Sequence, residues 1–194
     1  MRPRLRDLGI EIGNLPTGPD NAITDVPGVL VGHSTLVRDE PTAVRTGVTV
    51  IIPRGGGGWT ETAFAGWHNF SGNGEMTGIP WIEETGLIDS PIGITSTHQV
   101  GLVRDALVRL AIESGGVDAF HLPVVAETWD GWLSNADSFP LTEAHVREAF
   151  RGATDGPVPE GAVGGGTGMI CHEFKGGIGT SSRIVETKSG TYTL

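Results

Sequence analysis

Glu127 is the side chain in this sequence that is best placed to do chemistry. It follows the apolar run 122–126, which predicts a buried strand, and it precedes Trp129, Trp132 and a turn. A buried carboxylate is costly unless a cation or hydrogen-bond donors meet it. Aromatic walls around one carboxylate would suit a substrate ammonium, which gains an ion pair and a cation–π contact. A structural pair with an arginine, with both tryptophans in the core, is the equally balanced alternative.

The segment 71–78 is a second candidate, because it packs three glycines around Asn73 and Glu75. Its composition favours a turn in which the asparagine and the glutamate stabilise their own backbone. A role in a functional site is the less favoured interpretation.

Other catalytic and binding patterns are weak. The glycine runs 55–58 and 164–168 lack the spacing of phosphate-binding loops, and Lys175 precedes its glycines, so these runs predict tight turns. The six histidines have no metal-binding spacing and are expected to be hydrogen-bonded structural residues. No serine lies in a G-x-S-x-G motif, and Cys171, within an apolar run, is predicted to be a small buried residue. We therefore expect neither a metal nor a cofactor.

The composition narrows the possible partners. The chain has 194 residues with 13 basic and 23 acidic side chains, a net charge of −10, which disfavours binding to nucleic acid or anionic membranes. Its single cysteine excludes an internal disulfide, and the first ten residues do not have the pattern of a signal peptide. We expect a soluble cytoplasmic protein in which residues 1–194 form a single domain.

The elements that would position these residues are short strands and two helices. Apolar, β-branched runs bounded by glycine or proline predict strands at 29–31, 48–52, 92–95, 122–126, 169–171 and 184–185. A helix is predicted from a Ser96–Gln99 capping box to Gly115–Gly116, and another from a Thr142 cap to about Phe150. Strands beside a long apolar helix indicate a layered α/β domain, with residues 152–162 as a loop.

Several strings from end to end resemble one family, the β-peptidyl aminopeptidases and L-aminopeptidase/D-esterases of the DmpA and BapA type. The matching strings are Asn21–Val26 with Val31–His33, Gly72–Gly78, Pro91–Thr95 with Val103–Ala106, Leu122–Thr128, Gly164–Met169 and Lys175–Arg183. The resemblance implies an αββα sandwich of the kind shared with ornithine acetyltransferase. It also implies a precursor that cuts itself before a serine or threonine, which then attacks the substrate.

By this resemblance, the chain corresponds to most of an α-subunit. The nucleophile and the oxyanion-hole asparagine then belong to segments outside these 194 residues. The implied partners are a β-subunit from the same precursor, further αβ units in a homo-oligomer, and a small peptide or amide substrate.

By the same resemblance, three positions of this sequence match functional residues of related proteins. Glu127 matches the carboxylate that holds the substrate's amino group. Trp129 falls where some members place a tyrosine that donates to the oxyanion, so it is either a donor or a wall of the pocket. Lys175 matches a functional position of nylon-oligomer hydrolases, with a lysine that closes a glycine turn as the alternative. An oligomer hydrolase, an acyltransferase and a non-catalytic remnant of the fold are the other functions considered.

Overall fold

The computed structural model describes residues 3–55, 59, 61–115 and 120–194, so the predicted turns at Gly56–Gly58 and Gly116 lie outside the described residues. The described residues form three α-helices: α1 (Ile79–Thr85), α2 (Val100–Glu113) and α3 (Glu143–Arg151). They also form ten strands: β1 (Leu30–Arg38), β2 (Val44–Ile52), β3 (Ala63–Phe64), β4 (Leu87–Ile88), β5 (Ile92–Ser96), β6 (Val124–Thr128), β7 (Ile170–Cys171), β8 (Phe174–Lys175), β9 (Ile184–Thr187) and β10 (Gly190–Thr193). None of the helices in these ranges is long and apolar enough to cross a membrane.

The central sheet has the strand order β1-β2-β5-β6. The pairs β1/β2 and β2/β5 are antiparallel, whereas β5 and β6 are parallel and are joined through α2. A parallel pair requires such a crossover, because its strands start at the same end of the sheet. The second strand is buried along most of its length, as its nearly continuous apolar run 48–52 predicts.

Helices α2 and α3 pack on one face of the sheet and form the main core. The helical residues of that core come from the apolar faces of both helices, and the sheet residues come mainly from β2: Val48, Val50, Ile52, Val100, Val103, Ala106, Leu107, Leu110, Ala111, Val125, Val146 and Ala149. The layered α/β arrangement expected from the sequence is therefore present.

The start of α2 differs from the prediction. Residues 97–99 form a 3-10 turn, and the α-helix begins only at Val100. Ser96 does not cap it, because its hydroxyl donates to Asp130 Oδ1 at 3.0 Å. Gln99 instead exchanges two hydrogen bonds with the backbone of Leu141. These tertiary partners replace the local capping box, whereas the predicted Thr142 cap of α3 is confirmed.

Other elements were predicted incompletely. The strand β1 extends to Arg38, well beyond the predicted run 29–31, because its polar residues find tertiary partners: the Ser34 hydroxyl donates to Glu148 of α3 at 2.6 Å, and the Thr35 hydroxyl accepts from the N–H of Gly164 at 2.9 Å. Helix α1 was not predicted, since its seven residues are too few to show a clear period. The prediction for Cys171 was wrong: the residue is exposed in the short β7–β8 hairpin. Residues 152–162 form a loop after α3, as predicted.

The other face of the sheet is covered in part by the 3-10 turn Gly164–Gly166. A Cβ on Gly47 would lie 2.5 Å from the oxygen of Gly164, and a Cβ on Gly165 would lie 2.7 Å from the oxygen of Ile94. These glycines therefore allow close backbone approaches, as their abundance suggested. Beside the turn lies an open groove of about 580 Å³, lined partly by Val31, Ile51 and Ile94 of the sheet.

Asp25 joins the N-terminal segment to the segment 180–183. Its carboxylate accepts hydrogen bonds from the Ser182 hydroxyl at 2.5 Å and from the backbone N–H groups of Ala22 and Asp20 at 3.0 and 3.1 Å. Burial opposes its ionisation, but these hydrogen bonds and the charge of Arg6 hold the pKa of Asp25 below its ordinary value of 3.8.

Replacing Asp25 by asparagine is expected to make stability less dependent on acid pH. Because the folded pKa lies below the unfolded one, the carboxylate stabilises the fold above about pH 4 and loses this contribution as pH falls through the folded pKa. The difference in free energy of unfolding between the wild type and Asp25→Asn should therefore shrink as pH falls from 6 to 3 in urea titrations. The exposed Asp155→Asn is the control, and an equal pH dependence for both variants would contradict the prediction.

Candidate functional site

Glu127 lies near the end of β6, paired in register with Thr95 of β5. Its side chain is partly buried, and the Thr97 hydroxyl donates a hydrogen bond to Oε2. On the other side, a Cβ added to Gly74 would lie 2.8 Å from Oε1. The carboxylate is therefore held between the turn after β5 and the segment 71–78.

The segment 71–78 runs beside β6, which differs from the self-contained turn that its composition favoured. The N–H of Thr77 donates to the oxygen of Val125 at 3.0 Å, and the N–H of Glu127 donates to the oxygen of Glu75 at 3.1 Å. The reason is that β6 ends the sheet on this side, so its outer backbone groups require partners. This pairing brings Gly74 against the Glu127 carboxylate.

Trp129 follows β6 directly and presents a half-exposed indole at the same end of the strand. Its ring lies over Gly131, where a Cβ would come within 2.3 Å of Cζ2, and it forms a T-shaped contact with the His98 ring at a centroid distance of 5.9 Å. Its backbone oxygen accepts a hydrogen bond from the N–H of Ile170 at 3.3 Å. These contacts hold an aromatic surface two residues beyond Glu127.

The alternative in which Glu127 pairs with an arginine and both tryptophans lie in the core does not match the described residues. Among them, Glu127 forms no ion pair with an arginine. Trp129 and Trp132 are 44% and 78% exposed, so neither tryptophan belongs to the core. The strand end thus presents a carboxylate and aromatic side chains at the surface, an arrangement suited to binding a cationic group.

Lys175 lies in the β8 strand of the hairpin and is linked to the glycine turn. Its ammonium donates to the backbone oxygens of Gly166, at 3.1 Å, and of Gly176. The Thr128 hydroxyl donates to the oxygen of the adjacent Gly165 at 2.7 Å. The turn therefore connects Lys175 to the end of β6, and the contacts agree with the lysine that closes a glycine turn.

Two polar residues that contact this region were not singled out from the sequence. Thr97 binds the Glu127 carboxylate, and Asp130, only 1% exposed, accepts the hydrogen bond from Ser96. The local pattern assigned residues 96–99 to a helix cap, which concealed both contacts. No local signal marks them, because Thr97 and Ser96 meet Glu127 and Asp130 only through the parallel pairing of β5 with β6.

His33 supports the interpretation of the histidines as structural residues. Its Nδ1 lies 2.9 Å from the Thr49 hydroxyl, beside Gly164, and burial lowers the pKa of the imidazole. Burial against the sheet thus favours the neutral form of the ring. Within the described ranges, no group of three His, Cys, Asp or Glu side chains is arranged to hold a metal ion.

Comparison with known proteins identifies the family. Residues 21–194 match peptidase family S58. The chain is 47% identical over 198 residues to the β-peptidyl aminopeptidase BapA of Sphingosinicella microcystinivorans, a match that covers 99% of this chain and 50% of the relative. The BapA of Sphingosinicella xenopeptidilytica is 45% identical over 201 residues, with the same coverage. The chain thus spans about half the length of these curated relatives.

Solved structures of aminopeptidases are also similar to this chain. A Burkholderia sp. β-aminopeptidase is 54% identical with a TM-score of 0.90, and the match covers 94% of this chain and 52% of that one. The L-aminopeptidase D-Ala-esterase/amidase of Ochrobactrum anthropi, a variant of the Ntn hydrolase fold, is 46% identical with a TM-score of 0.91, covering 99% and 56%. The fold class expected from the resemblance is thereby confirmed. From residue 21 to residue 194, the chain belongs to peptidase family S58.

Proposed function

We propose that this chain is the amine-binding portion of a self-processing aminopeptidase that removes N-terminal residues from short peptides, amides or esters. The observation that carries the proposal is the partly buried Glu127 carboxylate, whose Oε2 is bound by Thr97 and whose Oε1 faces Gly74, in a member of family S58. A carboxylate in this position would bind the substrate's free ammonium. Binding the amino end of the substrate in this way favours removal of its terminal residue over internal cleavage.

The proposed reaction proceeds through an acyl-enzyme. The hydroxyl of a serine or threonine outside these residues attacks the carbonyl carbon of the substrate, and its proton passes to the leaving amine as the C–N bond breaks. Water then attacks the resulting ester, which releases the acid and restores the hydroxyl. Trp129 would form a wall of the pocket, and Lys175 would keep the glycine turn in place behind the end of β6.

The proposed partners are a β-subunit from the same precursor and further αβ units. The groove over Val31, Ile51 and Ile94 is apolar and open, which suits the packing of a second sheet on this face. Phe64, Phe70, Trp132 and Phe174 are each at least 78% exposed, as expected for surfaces that other chains cover.

The test uses the complete protein with the sequence that accompanies these residues. We expect hydrolysis of L-aminoacyl and β-homoaminoacyl p-nitroanilides, with kcat/KM at least about tenfold higher than for their N-acetylated counterparts, a difference of about 1.4 kcal/mol. Intact mass should show two polypeptides, the second beginning with serine or threonine. Equal rates on free and acetylated substrates, or no hydrolysis, would contradict the proposal.

A further inference from the structure

Thr97 is the side chain that contacts the Glu127 carboxylate from the turn after β5. Its hydroxyl donates to Oε2 and lies 3.4 Å from the backbone oxygen of Thr128, where the hydrogen bond would be weaker. A hydroxyl has a single proton to donate, and the charged carboxylate is the stronger acceptor. Thr97 therefore restricts rotation of the Glu127 side chain through Oε2.

The second carboxylate oxygen faces Gly74. A Cβ at this position would lie 2.8 Å from Oε1, closer than such atoms approach without displacement. Glycine at this position therefore lets the backbone approach Oε1 without displacing it. The two oxygens are thus in different environments: one is bound by a hydroxyl, and the other borders a position without a side chain.

The turn that carries Thr97 is anchored on both sides. Before it, the hydroxyl of Ser96 donates to the buried Asp130 carboxylate at 3.0 Å. After it, the Gln99 side chain, 2% exposed, donates to the Leu141 oxygen at 3.0 Å and accepts from the Leu141 N–H at 2.9 Å. Such fully bonded polar contacts keep a turn in one conformation. The Thr97 hydroxyl is consequently a fixed reference point for Glu127.

We propose that Thr97 is the positioning residue for ammonium recognition: its hydroxyl holds Oε2 of Glu127 so that Oε1, beside Gly74, accepts the N–H of the substrate's ammonium. This inference rests on the proposed amine-binding role of Glu127. It adds to that role the residue that orients the carboxylate. Supporting side chains of this kind hold a binding group within the narrow range of geometries that recognition requires.

The test compares Thr97→Val with Thr97→Ser in the complete protein. The valine variant keeps the shape but removes the donor, so kcat/KM for free-amine p-nitroanilides should fall about five- to tenfold, mainly through a higher KM. N-acetylated substrates should change little, and the serine variant should restore the wild-type value. Thr191→Val, at an exposed position of β10, is the matched control and should behave as the wild type.

A double-mutant cycle that combines Thr97→Val with Gly74→Ala tests whether the Thr97 hydroxyl fixes the position of Oε1. The added methyl group should displace Oε1 and lower kcat/KM for free amines while Thr97 holds Oε2, and it should cost less in the Thr97→Val background, where the carboxylate can turn away. Additive effects of the two substitutions would overturn the proposal.

The remaining outcomes distinguish a failure of the role of Thr97 from a failure of the proposed function. A wild type that prefers free amines, with Thr97→Val unchanged, would overturn the role of Thr97 alone. Equal losses by Thr97→Val on free and acetylated substrates would also overturn it, because they indicate a general structural defect. A wild type without a preference for free amines would instead refute the proposed function itself, whichever way the Thr97 variants behave.

Discussion

Glu127→Ala is expected to lower kcat/KM for substrates with a free amine by about tenfold to a hundredfold, mainly by raising KM. The reason is the loss of a charge-assisted hydrogen bond to the ammonium, worth about 1.5–3 kcal/mol in a partly buried site. The Thr97 hydroxyl already orients this carboxylate, so little freedom is lost when the substrate binds. N-acetylated substrates have no ammonium, and their kcat/KM should change far less. Steady-state kinetics on matched pairs of substrates measures the difference.

Two further variants separate charge from shape. Glu127→Gln keeps the size and one acceptor oxygen but removes the charge, so its loss on free amines should lie between those of the wild type and of Glu127→Ala. The exposed Glu186→Ala in β9 changes the net charge equally and should leave both substrate classes unaffected. An equal loss on free and acetylated substrates by Glu127→Ala would exclude ammonium binding as the role of Glu127.

Gly47→Ala is expected to destabilise the protein by about 1–3 kcal/mol or more, the range seen when atoms are forced into a filled space. Its Cβ would lie 2.3 Å from the Ser34 oxygen and 2.5 Å from the Gly164 oxygen. Both are backbone atoms, one in the neighbouring strand and one in the glycine turn, so neither can move aside by changing a rotamer. Either the strand β1 or the turn Gly164–Gly166 must shift.

Gly101→Ala provides the opposite expectation within the same chain. Gly101 lies in α2, and the space where its Cβ would be is open. Alanine there should stabilise the protein by about 0.5–1 kcal/mol, because it is the better helix former. Urea unfolding of both variants measures the contrast, and similar stabilities would show that the predicted clash at Gly47 is absent.

The backbone shift caused by Gly47→Ala should also affect the candidate site. The turn Gly164–Gly166 accepts hydrogen bonds from Thr128 at Gly165 and from Lys175 at Gly166. A shift of the turn therefore weakens the support behind the end of β6. We expect Gly47→Ala to lower kcat/KM for free and acetylated substrates alike, in contrast to the selective loss in the Glu127 variants.

The sequence by itself determined the local elements and the position of the carboxylate. The run Val48–Ile52 predicted a strand covered on both faces, and the apolar face of residues 100–111 predicted the long helix. Glu127 was placed near the end of a buried strand by the apolar run that precedes it. These features are local, because the alternation of apolar residues and the glycines that end each run lie within a few positions of one another.

Only the tertiary structure decided which polar groups meet. The Ser96–Gln99 spacing fits a helix cap, yet these residues bind Asp130 and Leu141, about 34 and 42 positions away. Thr97 meets Glu127 only because β5 and β6 are neighbours in a parallel pair, with α2 folded between them in the chain. A local pattern cannot encode such a choice: a hydroxyl or amide accepts whichever partner the packed strands bring within about 3 Å, and the packing depends on the whole chain.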